Sequence, residues 1–174
     1  DEAYAHGVKL SNAVTLATVA EDGRPDARMV LLKGLDKRGF VFFTNFRSVK
    51  GRQLLENPQA ALCFYWHATQ KQVRVRGPVE TVTEEEADKY FASRPRFSQL
   101  GAWVSAQSEE IHGREVLEKR LMELDGQYQN EPIPRPPHWS GMRLQPEEIE
   151  FWVEGDYRLH DRLLYISSGD GKWT

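Results

Sequence analysis

Apolar residues in the first half of the chain fall in short runs separated by turn chemistry. Ala13 to Ala20 (AVTLATVA) is apolar and β-branched, and it ends at Glu21-Asp22-Gly23-Arg24-Pro25, which holds both punctuating residues. Arg28 to Leu32 follows, then a turn over Leu35-Asp36-Lys37-Arg38-Gly39, then Phe40 to Thr44. Such runs bounded by such turns predict strands, and three in succession predict an antiparallel meander. Ala60 to Trp66 is continuously apolar, as in a buried strand. Gln72 to Gly77 alternates, with Val73 and Val75 on one face and Gln72, Arg74 and Arg76 on the other. That predicts a half-buried strand continuing toward Val82. Met142 to Leu144, Ile149 to Val153 and Leu163 to Ile166 resume the strand pattern near the C-terminus.

The period changes in the middle of the chain. Ser48 caps a predicted helix running to about Glu56, which Asn57-Pro58 stops. Thr83 and Glu86 form a capping box, and the helix that follows turns Ala87, Tyr90 and Phe91 inward before ending near Arg94-Pro95. A short helix is predicted over Ser98 to Val104 and the longest over Gly113 to Tyr128, where Leu117, Leu121, Leu124 and Tyr128 make an apolar stripe. The proline-rich stretch 129–138 reads as an extended connector. About seven strands with three or four helices clustered mid-chain predict a mainly β, α+β architecture. An antiparallel sheet or barrel with flanking helices is expected, in a single domain 1–174, and not a doubly wound fold.

Composition narrows the chemistry. A net charge of −3 argues against bulk binding to nucleic acid or an anionic membrane, although a local basic patch can hold a phosphate. No apolar stretch reaches the roughly 20 residues of a membrane span, and no signal peptide opens the chain. Cys63 is the one cysteine, so no intramolecular disulfide forms; it reads as a small buried hydrophobe, and cysteine poverty fits a cytoplasmic setting. The five histidines (His6, His67, His112, His138, His160) are scattered without metal-ligand spacing, so no metal is expected. Glycine-rich dinucleotide, P-loop and Gly-x-Ser-x-Gly signatures are all missing.

What remains is cations and hydroxyls at the ends of elements. Arg28 and Lys33 bracket one predicted strand, at opposite ends and on opposite faces. Thr44 ends the next strand, and Ser48 and Lys50 sit at a helix N-terminus, which favours an anion. Arg94, Arg96 and Ser98 form a second cluster, and Arg158, His160 and Arg162 a third, within Trp152 to Arg162 (WVEGDYRLHDR). Each cluster alone also reads as a solvated surface. Three of them in an acidic protein point to two phosphate-bearing ligands or one large one, with five Trp, six Tyr and eight Phe available to stack on a ring.

The segments RMVLLK at Arg28–Lys33, FFTN at Phe42–Asn45, QVRVRG at Gln72–Gly77, YFASRPRFSQLGAWVSAQS at Tyr90–Ser108 and EFW with RLHDR at Glu150–Arg162 resemble the pyridoxine (pyridoxamine) 5′-phosphate oxidases. The resemblance covers almost the whole chain and implies an antiparallel split β-barrel and a homodimer with FMN at its interface. It implies that Arg28, Met29, Val30, Leu31, Lys33, Phe43, Thr44, Lys50, Gln72, Gln107, Ser108, Trp152 and Arg162 bind the cofactor. Lys33, Tyr90, Arg94 and Ser98 would hold the substrate phosphate, and Arg158 and His160 would be the catalytic pair facing the pyridine ring. The implied reaction oxidises pyridoxamine or pyridoxine 5′-phosphate to pyridoxal 5′-phosphate, with O2 reduced to H2O2.

Two departures stand out. Val49 replaces an arginine common in the family, with Arg47 or Arg52 as substitutes, and Val153-Glu154 replaces the usual Gln-Gly after Trp152. A related flavin oxidase of another ring, such as a phenazine precursor, and a non-catalytic flavin- or pyridoxal-phosphate-binding protein are the alternative readings.

Overall fold

The predicted turns close antiparallel ladders. The computed structural model describes residues 2–129, 131–169 and 171–174. In chain order the elements are α1 (Glu2–Ala5), β1 (Ala13–Val19), β2 (Pro25–Leu31), β3 (Gly34–Asp36), β4 (Gly39–Asn45), α2 (Val49–Glu56), β5 (Gln59–Trp66), β6 (Lys71–Thr81), α3 (Glu84–Ala92), α4 (Arg96–Val104), α5 (Arg114–Gln127), β7 (Trp139–Leu144), β8 (Glu148–Val153) and β9 (Asp161–Ile166). Short 3-10 turns occupy His67–Thr69 and Asp156–Arg158. Nine strands among the described residues exceed the expected seven or so; the one with no counterpart among the predicted runs is β3, whose three residues are too few to show a pattern.

The strands form an antiparallel split barrel with the hydrogen-bonded order β2-β1-β5-β6-β7-β4-β3, while β8 pairs with β6 and β9 with β8. Chain contacts divide the molecule into two compact units. The first comprises Asp1–Phe42, Gln53–Glu80 and Met142–Thr174, and the second Phe43–Arg52 and Thr81–Gly141.

In the first unit, register sorts the side chains. Leu16 lies opposite Leu62, Leu62 opposite Val75 and Val75 opposite Ile149. The first three are fully buried, and with Val14 and Phe64 they make the inner face. The other parity puts Met29, Thr15, Cys63, Arg74, Glu150 and Leu164 in one row across six strands on the outer face. Cys63 is therefore half-buried on that outer face, and burial pushes its thiol up, so it stays protonated at neutral pH. Gly77 is required where β6 passes the segment after β7, because a Cβ there would lie 2.0 Å from the Gln145 carbonyl oxygen.

The second unit packs Phe91, Leu100, Ala102, Ile133 and Trp139, with Phe43, Tyr90, Leu121, Leu124 and Tyr128 against them. The capping box forms as expected, with Thr83 Oγ1 accepting from Glu86 N–H. Helix α4 begins at Arg96, two residues before the expected start, because Pro95 serves as its N-cap. Leu121, Leu124 and Tyr128 of the predicted stripe dock, yet no residue of α5 is fully buried.

Candidate functional site

In the first unit, Gln72 lies opposite Trp152 and Trp152 opposite Arg162, so the three occupy one row on the outer face, with Tyr65 beside Gln72. Glu150 organises this row. Its carboxylate is mostly buried, accepts from Arg162 Nε at 3.2 Å and from Arg162 Nη2, and lies 3.7 Å from Arg74 Nε. This nearly buried carboxylate holds the guanidinium of Arg162, the residue opposite Trp152 in the ladder.

Strand β2 divides its own predicted set. Arg28 and Val30 lean toward the inner face and are half-buried, whereas Met29 and Leu31 are exposed on the outer one. A strand alternates its side chains, so these four do not all reach one ligand through side chains. Arg28 is already engaged. It donates through Nη1 to Thr18 Oγ1 at 2.5 Å and through Nη2 to Gln53 Oε1 at 3.2 Å, and it pairs with Asp26. Thr18 donates to Gln53 Oε1 at 2.6 Å, closing a buried triangle around the guanidinium. Lys33 lies beyond the end of β2 and is exposed; its backbone N–H donates to the Val41 carbonyl.

The turn between β8 and β9 carries Arg158 and His160. Arg158 is exposed and Tyr157 and Arg158 both adopt positive φ, +57° and +67°. The His160 ring lies 4.6 Å from the Trp152 ring.

In the second unit, Lys50, Gln107 and Ser108 converge at the N-terminus of α2, and Thr44 lies near the end of β4, ahead of that helix in the chain. Lys50 Nζ donates to Gln107 Oε1 at 2.9 Å and to Ser48 Oγ at 3.3 Å, and Val49 N–H points at Ser108 Oγ at 3.4 Å. Ser48 caps the turn through Gly51 N–H, and Gly51 is needed because a Cβ would lie 2.5 Å from the Asn45 carbonyl oxygen. Arg52 is turned back onto the Arg47 carbonyl.

Tyr90, Arg94 and Ser98 surround the end of α3 and the start of α4. The Arg94 guanidinium carbon sits 4.7 Å from the Trp139 ring and 5.7 Å from the Phe91 ring, and Tyr90 stacks on Phe43 at 3.9 Å. Burial lowers the Arg94 pKa, against an opposing contribution from Tyr90. Arg96 leaves the expected cluster: it bonds Asp125 at 2.8 Å and the Tyr128 carbonyl at 2.8 Å, clipping α4 to α5. Among the described residues, three buried side-chain polar atoms have no hydrogen-bond partner, Thr44 Oγ1, Arg94 Nη1 and Ser140 Oγ. Two of the three belong to residues already singled out from the sequence, which is what a site shaped for a ligand leaves behind.

Sequence reasoning missed Thr18, Gln53, Glu150 and Trp139. A threonine inside AVTLATVA and a glutamate beginning EFW read locally as strand residues, and only pairing reveals their partners. Among the described residues, no group of three or more His, Cys, Asp or Glu could hold a metal ion, and no helix is long and apolar enough to cross a membrane.

Comparison with known proteins places the chain. Residues 1–128 match the family described as pyridoxamine 5′-phosphate oxidase, and residues 139–174 match the pyridoxine 5′-phosphate oxidase C-terminal dimerisation region. A pyridoxine/pyridoxamine 5′-phosphate oxidase of Nostoc punctiforme is 57% identical over 173 residues, covering 99% of this chain and 81% of the relative. One from Gloeothece citriformis is 59% identical over 162 residues, covering 93% and 76%. Among solved structures, PhzG from Burkholderia lata in complex with tetrahydrophenazine-1-carboxylic acid superposes with a TM-score of 0.92 at 35% identity, covering 99% of this chain and 84% of that one. With family matches along most of its length and relatives sharing more than half of its residues, this chain belongs to the pyridoxamine 5′-phosphate oxidase family.

Proposed function

We propose that the chain, as one split-barrel domain over residues 1–174, is an FMN-dependent oxidase acting in the cytoplasm as a homodimer. It converts pyridoxamine or pyridoxine 5′-phosphate to pyridoxal 5′-phosphate, with O2 reduced to H2O2. One observation carries the reading: Arg94 is a half-buried cation whose Nη1 is buried and has no hydrogen-bond partner, seated against Trp139. A desolvated guanidinium without a carboxylate is a poor stabiliser of the free fold and a strong binder of a dianionic phosphate. Tyr90 and Ser98 add hydroxyls on the same unit, and Lys33 is assigned the same phosphate.

The chain's residues fit FMN at its polar end. Thr44 offers a buried hydroxyl with nothing to bond, and Lys50, Ser48 and Ser108 surround the first N–H groups of α2, an arrangement suited to an anion. Lys50, Thr44 and Arg28 are assigned the phosphate and ribityl chain, with Phe43 beside them. Gln72, Trp152, Arg162, Gln107 and Ser108, with Met29, Val30 and Leu31, are assigned the isoalloxazine region. When bound, the flavin supplies the two-electron oxidation that no side chain here can perform. The residues hold the substrate: the Arg94 cluster anchors the phosphate, and Arg158 and His160 orient the ring.

The PhzG structure keeps a second reading in view, oxidation of a ring without a phosphate. The unpartnered Arg94 Nη1 favours the phosphorylated substrate, because a ring without a phosphate leaves that buried N–H unsatisfied. The test is direct. The purified protein is expected to be yellow and, given pyridoxamine 5′-phosphate, to produce peroxide and pyridoxal absorbance in equal amounts. Flavin-loaded protein that ignores the phosphate ester and oxidises an unphosphorylated ring would overturn the proposal.

A further inference from the structure

The turn that carries His160 specifies more than its position. The Gly155 backbone N–H donates to His160 Nδ1 at 3.2 Å. An amide N–H is a donor only, so Nδ1 presents its lone pair and the ring proton sits on Nε2. A doubly protonated imidazolium and the Nδ1–H tautomer both lose this bond. The Trp152 ring, 4.6 Å away and tilted by 47°, covers the imidazole and limits its rotation.

The turn is built to hold that contact. A Cβ on residue 155 would lie 2.1 Å from the Leu159 carbonyl oxygen, so the chain closes this tightly only with glycine there. Gly155 itself has an ordinary φ of −122°, and close approach is therefore the reason for glycine. Tyr157 and Arg158 are consecutive non-glycine residues in the left-handed region, at +57° and +67°. Few such residues adopt it, and Tyr157 is 94% exposed, so no packing of that side chain accounts for the strain. What the turn achieves is to return His160 to the Gly155 N–H.

We propose that Gly155 is a positioning residue that locks His160 as the neutral Nε2–H tautomer, so that His160 donates a hydrogen bond to the substrate ring and does not accept a proton from it. This rests on the proposed assignment of His160 to the substrate ring. The recognised group is a lone-pair-bearing or anionic ring substituent, and the phenolic oxygen next to C4 of a pyridoxamine or pyridoxine ring has that chemistry. Oxidation at C4′ releases a proton from its amine or hydroxyl, and that proton goes to water.

Two measurements test this. In flavin-loaded protein labelled with 15N-histidine, ring nitrogen–carbon-proton correlations are expected to show His160 protonated on Nε2 alone, with His160→Gln identifying the signal. Protonation on Nδ1, or on both nitrogens at neutral pH, overturns the proposal, and this readout is independent of which substrate the enzyme oxidises. In turnover, His160→Gln, whose amide N–H can take the place of Nε2–H, is expected to lose about tenfold in kcat/KM, and the shorter His160→Asn at least about a hundredfold. A general base would cost both variants alike, by about 10²–10⁴-fold, and that result refutes the donor role.

Discussion

Replacing Arg94 with methionine separates a ligand-binding cation from a structural one. In the free protein two effects oppose each other. The substitution forfeits cation–π contact with the Trp139 and Phe91 rings, at 4.7 and 5.7 Å, worth about 0.5–2 kcal/mol. It also removes a buried N–H that has no partner, which relieves about 1–3 kcal/mol of desolvation. Methionine fills much of the same space with no donor to satisfy. The terms nearly cancel, and at about 2–4 °C per kcal/mol for a domain of this size the melting temperature should move by only a few degrees. Phosphate binding has no such compensation. Loss of a buried charged partner costs about 2–4 kcal/mol, or about 30- to 700-fold in Kd. Calorimetric titration of pyridoxamine 5′-phosphate against unphosphorylated pyridoxamine measures this directly: the variant should lose its preference for the phosphate ester. An affinity within about threefold of the parent, or a melting temperature lowered by about 10 °C or more, refutes the reasoning and makes Arg94 a structural residue.

Three further perturbations probe other parts of the molecule. Thr44→Val removes the buried hydroxyl that has no partner, so the apoprotein should not lose stability. Flavin affinity should fall about tenfold or more in a fluorescence titration, since a hydrogen bond to a charged group is worth about 1.5–3 kcal/mol; unchanged affinity removes Thr44 from the site. Val49 opens α2 and is 37% exposed, so Val49→Arg places a guanidinium at the proposed phosphate without disturbing the core. Roughly tenfold tighter flavin binding is expected from one added charge-assisted bond, and equal or weaker binding sinks the assignment. Gly77→Ala drives a Cβ to 2.0 Å from a backbone oxygen that cannot move aside; it should cost about 1–3 kcal/mol or more, read as a lower urea midpoint with an unchanged slope.

Much of the scaffold was legible because its signals are local. Alternation in Gln72 to Gly77 encodes a strand with one wet face, and the structure buries Val75 while leaving Arg74 and Arg76 exposed. The Thr83–Glu86 capping box forms as written, because both partners lie within one helical turn. The candidate site was legible differently. Its cations could be picked out by residue type at the ends of elements, but their destinations could not. Arg94 and Arg96 are two residues apart, yet Arg94 stacks on Trp139 while Arg96 turns to Asp125 on another helix.

By itself, then, the sequence determined the alternation of turns and apolar runs, the helix caps, and through shared motifs the family. These depend on interactions within a few residues or on residue identity alone. Tertiary structure decided which side chains meet. Thr18 reaches Gln53 across 35 residues to hold Arg28, and Glu150 reaches Arg162 across 12. It also decided that Arg28 and not Met29 turns to the inner face, and it returned His160 to the Gly155 N–H. Those outcomes follow from strand register and close packing, where a shift of one residue sends every side chain to the other face, and no local pattern encodes that choice.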